Sequence, residues 1–418
     1  SNTWLAGVDR VDISPGIGEP MYAFPQNAHA RPEERVPRRA TRVHDPITAT
    51  TLVLQANGSI AAICAVDLCV IPEDAVSAIR TRVAELESSL ATATILISAS
   101  HTHHGPVVNL GEPWTDKMVE AIAISVVRAF ASLQPAWMGA SFGTAELTFN
   151  RRVVVDGQMT LMHSEPPTGA DGPTDSTIGI LRIDSVNREP IAVVVIYTAH
   201  PLIMGPKNLE FTADFPGRLR AYLEQSIGGG VQALFLNGAA GNIHPKLAMQ
   251  MNWNEVDRMG VELGRATMPA YQFLRSAPEQ GPSVSQPARF EVVQKTLSFP
   301  NRMDPSLATR IEIDVLRLGG VAIAFVPGEF FVEFQLQLRE SSPAEQTYMV
   351  GYSNSSVGYV PTEQSYPWGG YGVEKHLGDP PEWSRTQVPE GAGEAVLACI
   401  SEMINNLEWN ESASEPSR

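Results

Sequence analysis

Apolar residues in this chain recur with two different periods. Short runs with strand character cover Leu5–Ser14, Ile47–Gln55, Ser59–Val66, Ala93–Ser98, Ile178–Ile183, Ile191–Tyr197, Val231–Leu236, Gly320–Val326 and Tyr348–Tyr352. They are rich in β-branched residues and too short for helices. Apolar positions at helical spacing cover Asp74–Leu90, Thr115–Leu133, Pro216–Gln225, Asn254–Leu274, Phe330–Arg339 and Gly391–Leu407. Asn57-Gly58 between two strand runs predicts a tight hairpin. Thr115 is the predicted N-cap of the second helix, with Asp116 in its first turn. Short strands are expected over 137–161, loop over 163–177, a polar linker over 277–287 and strands over 288–316. Alternating strands and helices define an α/β class, with mixed β-sheets flanked by helices.

The residues just past each strand carry more information than the strands themselves. The run Ala93–Ser98 passes straight into Ser98-Ala-Ser-His-Thr-His-His-Gly-Pro106. Alternate side chains share a face, so His101 and His103 point the same way. Two neutral imidazoles side by side make a metal corner. A plain surface loop is the competing reading, but the chain has 9 histidines and three of them fall here. The pattern recurs at Tyr197 (His200), Leu236 (Asn242, His244), Val326 (Glu329) and Tyr352 (Asn354, Tyr359). In α/β sheets, ligands bind beyond the carboxyl ends of strands. A metal or catalytic cup at those ends is therefore predicted. Singly, Glu329 fits the first turn of its helix equally well, and a lone His200 fits a core histidine better. Asp67 either orients a ligand imidazole or caps a turn. Asp45 and Asp214, beside Pro-containing turns, read as structural hydrogen-bonding groups.

Composition narrows the partners. The formal net charge is −16, which argues against nucleic acid and anionic membrane surfaces. Three cysteines, Cys64, Cys69 and Cys399, cannot build a disulfide framework and read as buried thiols. No apolar run approaches the ~18 residues of a membrane helix. No leader is visible at the start, so the protein is expected to be soluble, either cytoplasmic or secreted with its leader removed. Oligomeric state stays open.

The chain resembles the catalytic domain of the neutral ceramidase family, the neutral/alkaline, non-lysosomal type. The resemblance rests on Gly7-Val-Asp-Arg-Val-Asp-Ile-Ser-Pro15, His44-Asp-Pro46, Ala65-Val-Asp67 and Ser98-Ala-Ser-His-Thr-His103. It continues through Asn150-Arg151, Ala199-His-Pro201, Asp214-Phe-Pro-Gly217 and Gly241-Asn-Ile-His-Pro245 to Pro327-Gly-Glu329, Asn354, Gly358-Tyr-Val360 and Tyr371. It implies one zinc ion per chain and hydrolysis of a linear N-acyl amide. His101, His200, Glu329 and Tyr359 are then the metal ligands, with His103 as acid/base. Tyr359, Tyr371 and Arg151 complete the catalytic set by lining the substrate or stabilising charge. His104, His244, Asn242 and Asn354 are assigned to substrate binding. Two departures bear on the substrate, a small-molecule amide that is lipid-like or not. The family's Gly-Asp-Val-Ser-Pro reads here Gly241-Asn-Ile-His-Pro245, which excludes a serine nucleophile at that place. The residues of this chain are also expected to lack the family's C-terminal β-sandwich-like domain. Residues 1–409 are accordingly expected to form a single catalytic domain, with a disordered tail over 410–418. A zinc esterase or lactonase, a metallo-β-lactamase-like site and a non-catalytic metal-binding or ligand-binding homologue are the alternatives.

Overall fold

The computed structural model describes residues 3–27, 34–161, 172–276, 289–373 and 386–409. The expected linker over 277–287, most of the expected loop over 163–177 and the tail from 410 lie outside the described residues.

Two main sheets and two helical layers make up most of the described residues, with short two-stranded ladders beside them. In chain order the large sheet has β1 (Trp4–Asp12), β2 (Thr48–Ala56), β3 (Ser59–Val66), β4 (Thr94–Ala99), β5 (Gln134–Thr144), β6 (Thr177–Ser185), β7 (Pro190–Tyr197) and β8 (Gln232–Asn237). Their spatial order is β8-β7-β6-β5-β1-β2-β3-β4. The small sheet is β9-β10-β11-β12, formed by Phe290–Pro300, Ala308–Leu318, Val321–Phe325 and Gln346–Val350. The helices are α1 (Glu73–Leu86), α2 (Pro113–Ala131), α3 (Phe215–Ile227), α4 (Trp253–Ser276), α5 (Val332–Ser341) and α6 (Ala392–Asn405).

Alternation along each strand sorts the side chains into layers. Leu52, Leu54, Ile63, Leu181, Val194 and Leu236 face the small sheet, where they meet Leu316, Ile323, Phe325 and Val350. The intervening Val53, Ala62 and Cys64 pack against α1 and α2. Val193, Val195 and Phe235 pack against α3 and α4. On the far side, Ile313, Val315 and Ala324 meet Phe334 and Leu338 of α5 and Val396 and Ile400 of α6. The order is helix, sheet, sheet, helix. Each buried large apolar side chain contributes about 1.5–3 kcal/mol.

Within these two sheets most strand pairs are antiparallel, and three are parallel: β3 with β4, β7 with β8 and β11 with β12. Each parallel pair is bridged by one helix, α1, α3 or α5. Parallel neighbours need such a crossover. The large sheet curls until its edge strands β4 and β8 come into contact. Asn237 holds them there. Its Nδ2 donates to the carbonyls of Ser100 (3.0 Å) and Ala199 (2.9 Å), tying together the carboxyl ends of β4, β7 and β8.

The predicted elements need local corrections. Asn57 and Gly58 do form the two-residue turn of the β2–β3 hairpin, with φ of 50° and 81°. The first helix stops at Leu86, because Glu87 turns extended and its carboxylate caps the following 3-10 turn at Ser89. Thr115 is not an N-cap. The helix begins at Pro113, which has no N–H to leave unsatisfied, and the Thr115 hydroxyl instead accepts from the Asn109 N–H (3.1 Å). Residues 137–161 do hold short strands, Thr148–Asn150, Arg152–Val155 and Gln158–Leu161, but the first part of the range, up to Thr144, belongs to β5, which pairs along most of its length with β6.

Candidate metal site

The carboxyl ends of the three parallel pairs converge on one point. His101 follows β4, His200 follows β7 and Glu329 follows β11. Nε2 of His101 lies 3.2 Å from Oε2 of Glu329, and Nε2 of His200 lies 3.3 Å from the same oxygen. All three groups offer ligand atoms within 4.8 Å of one another.

Backbone carbonyls set the tautomers. His101 Nδ1 donates to the Cys69 carbonyl (2.7 Å) and His200 Nδ1 donates to the Ile243 carbonyl (3.0 Å). Each ring therefore turns an Nε2 lone pair toward the common point, as metal-binding histidines do. His200 Nε2 and Glu329 Oε2 are buried without a hydrogen-bond partner among the described residues. Such orphaned polar atoms cost about 1–3 kcal/mol each unless something fills the gap. Two imidazoles and a carboxylate suit a divalent cation of the zinc type. Burial alone would raise the Glu329 carboxyl, but His101 and His200 hold it well below the usual carboxylate range.

Glu329 is not in a helix. It forms a two-residue ladder with Tyr359–Val360 before α5 begins, so the helix-dipole reading of this residue falls away. The pairing sets Glu329 directly beside Tyr359. The Tyr359 hydroxyl accepts from Arg151 Nη2 (3.0 Å), and Arg151 also donates to His244 Nε2 (2.9 Å) and the Gly241 carbonyl (2.7 Å). Tyr371 packs edge-on against Tyr359 at 5.5 Å. Gly241 is required here, since a Cβ at that position would collide with the Glu329 carbonyl oxygen. His101 has φ of 71°, a left-handed conformation costing a non-glycine residue about 1–2 kcal/mol.

His103 stands next to the triad without completing it. Its Nε2 is 3.3 Å from His101 Nε2. Burial, then the neighbouring His101 and His200, holds its pKa well below the ordinary histidine value. A cavity of about 470 Å³ opens onto His101, His103, Glu329, Tyr359 and Cys69, and is also lined by Tyr22, Arg35 and Gln387.

Several predicted site residues lie away from that cavity. His104 is fully buried behind the loop, with Nδ1 3.1 Å from Asn208 Nδ2 and near Arg38; burial, then Arg38, pushes its pKa to about 3. Asn354 joins the sheets, accepting from the Ile97 N–H (2.9 Å) and donating to Glu312 and Asp314 (3.1 Å each). Asn242 accepts from the Val332 N–H (2.8 Å) and donates to Glu333 (2.8 Å) at the start of α5. His244 packs between Arg151 and His200, fully buried. Asp67 neither orients an imidazole nor caps a turn: both its oxygens take a bidentate pair from Arg220 (2.8 and 2.7 Å). Asp214 caps α3 by accepting from Phe215 N–H (2.8 Å), and Asp45 accepts from Ala213 N–H (2.9 Å) and from the Thr212 hydroxyl.

Four residues of the site are not legible in the sequence. Arg38 donates to the His103 carbonyl (2.7 Å) and the Asn208 carbonyl (2.6 Å), fixing the histidine loop. Tyr352 stacks on the His101 ring at 4.2 Å. Asn237 holds the strand ends together. Cys69 lines the cavity beside His101.

These features define a four-layer α/β protein with a metal-competent His/His/Glu cluster at the carboxyl ends of its strands. The fold is that of the neutral ceramidases. Over 97% of this chain and 74% of the other, the structure matches neutral ceramidase from Pseudomonas aeruginosa with a TM-score of 0.72 at 15% identity. A ceramidase complexed with C2 matches over 100% of this chain and 78% of the other, with a TM-score of 0.74 at 14% identity. No family model and no curated protein matches the sequence. Among the described residues no helix is long and apolar enough to cross a membrane.

Proposed function

We propose that this protein is a zinc-dependent hydrolase of linear N-acyl amides. The carrying observation is the pair of Nε2 lone pairs, each fixed by a backbone carbonyl, aimed at one oxygen of Glu329. His101, His200 and Glu329 hold the ion, with Tyr359 as a weaker fourth ligand. A cation in that position supplies Lewis acidity, polarising a carbonyl and lowering the pKa of water toward ~7.

The remaining work falls to the chain. His103, in the cavity wall but outside the triad and held neutral, takes the proton given up by the attacking water and delivers it to the leaving nitrogen. Amides need this step because an amine anion leaves poorly, and such acid catalysis is worth ~10²–10⁴ in rate. Arg151 orients the Tyr359 hydroxyl toward the oxyanion, with Tyr371 packed beside it. His244 holds Arg151 from behind. His104, Asn242 and Asn354 act as positioning residues, since their side chains are used up in the frame. The cavity mixes apolar and polar walls, which suits an amide with one apolar arm; the neighbours' fold favours a lipid-like acyl group.

Two variants test the assignment. His101→Ala should lose both metal, measured by elemental analysis, and hydrolysis of a panel of N-acyl amides. His103→Ala should keep its metal and lose amide hydrolysis by ~10²-fold or more. Full metal content in His101→Ala removes that residue from the ligand set. Ester hydrolysis that survives in His103→Ala, with no amide hydrolysis in the parent, makes the protein an esterase or lactonase instead.

A further inference from the structure

Cys69 lines the same cavity as His101 and His103, and the proposed reaction gives its thiol no task. Its Sγ lies 3.5 Å from His101 Nδ1. One ligand atom from each of Cys69, His101 and His103 falls within 4.8 Å of the other two. His103 is 9% exposed, and its Nδ1 has no hydrogen-bond partner among the described residues. One thiol and two imidazoles form a softer donor set than the two imidazoles and carboxylate next to it. Soft ligands select thiophilic cations such as Cd²⁺ over Mg²⁺ or Ca²⁺.

We infer that Cys69, His103 and His101 form a second cation site, overlapping the first through His101, and that a thiophilic divalent cation bound there shuts the enzyme off. The two triads compete because His101 has one free nitrogen, its Nδ1 being committed to the Cys69 carbonyl. With its lone pair tied to a cation, His103 can no longer take up a proton and pass it to substrate. On binding, the Cys69 thiol releases its proton to solvent and the thiolate takes the cation. The shutting-off rests on the hydrolase reading above; the cation binding does not.

The test uses the full chain loaded with a single equivalent of zinc and titrated with Cd²⁺. The expected result is a thiolate-to-cadmium charge-transfer band in the ultraviolet, saturating together with loss of N-acyl amide hydrolysis. Cys69→Ser should remove the band, with Cys69→Ala read in the same way if the serine variant does not fold. Cys64→Ser, with its thiol buried elsewhere, should keep it. His103→Ala should keep the band but raise the Cd²⁺ needed for half-saturation at least about tenfold, the loss that follows removal of even an outer partner of a metal. A band that persists in both Cys69 variants, or is absent from the parent chain, overturns the site. A full band with hydrolysis unchanged overturns the shutting-off. His200→Ala separates the two readings: it dismantles the first triad and should leave the band intact. If His200→Ala keeps both zinc and activity, the hydrolase assignment fails while the band still decides the second site.

Discussion

Glu329 and Asp67 occupy equivalent places. Each comes after the first strand of a parallel pair, Glu329 after β11 and Asp67 after β3, and each is surrounded by protein. Their fates differ. Asp67 is saturated: Arg220 takes both oxygens, and the Thr48 N–H and hydroxyl add two bonds at 2.9 Å. Glu329 faces two imidazoles, and one of its oxygens is left without a hydrogen bond. A buried carboxylate paired to an arginine is finished as structure. One that faces two imidazoles and keeps an oxygen without a hydrogen bond is unfinished, and a cation would complete it.

Neutralising each carboxylate in turn puts this contrast at greatest risk. Glu329→Gln should abolish metal uptake and hydrolysis while costing the metal-free protein less stability than Asp67→Asn, because the imidazoles left behind can shed a proton. Asp67→Asn should keep the metal and destabilise the fold by ~3–5 kcal/mol, because Arg220 is left as an uncompensated buried charge. Chemical denaturation with elemental analysis on both variants reads the result. Metal loss in Asp67→Asn together with metal retention in Glu329→Gln would reverse the assignment.

A third buried carboxylate, Asp314 of β10, gives a smaller and pH-dependent effect. Burial, then the neighbouring Glu312, raises it to about 7, against the pull of Arg80. The folded state thus keeps a proton that the unfolded chain gives up near 3.8. Its stabilising contribution is complete below pH ~4 and is lost as the pH rises toward 7, by at most about 4 kcal/mol. Asp314→Asn should flatten the stability profile across that window in denaturant titrations. An unchanged slope would mean that Asp314 is ionised throughout.

The sequence carried much of this and hid a specific part of it. Strand runs that end in polar residues put His101, His200, Glu329 and Tyr359 among the candidates, with His103, Asn242, His244 and Asn354, because strands in α/β folds deliver chemistry at their carboxyl ends. Only the resemblance singled out four of them as ligands. Nothing local distinguished Glu329 from Asp67, since the difference lies in Arg220, 153 positions away from Asp67. Arg38 sits in a Pro- and Arg-rich loop that reads as irregular, yet it holds the His103 backbone. Asn237 ends an apolar strand like any turn residue, and only the curl of the sheet brings Ser100 to it. Layering is hidden for the same reason. Alternation in β10 marks Ile311, Ile313 and Val315 as one apolar face, but does not say that this face meets a pair of helices while Leu316 and Leu318 meet a second sheet.

The smallest effect belongs to a carboxylate near the surface. Asp45 pairs with His44 (2.9 Å), whose ring stacks on Trp253 at 3.6 Å with the two planes nearly parallel. The hydrogen bond to Asp45, opposed by partial burial, raises the His44 pKa above 6.5. That direction fixes the sign. His44 binds its proton more tightly when folded, so the stability it adds is complete below pH 6.5 and disappears as the pH rises through the folded value. Solvent screens the pair, which limits the gain to under about 1 kcal/mol. A protonated imidazole against indole also quenches emission, so Trp253 fluorescence should rise with pH over the same range. Seven tryptophans contribute to the signal, so the change is isolated by subtracting the profile of His44→Ala. Activity should track neither change, since the His44–Asp45 pair is complete without metal or substrate. A parallel shift in hydrolysis would instead tie this surface pair to the metal site through Thr212, which bonds Asp45 on one side and the histidine loop on the other.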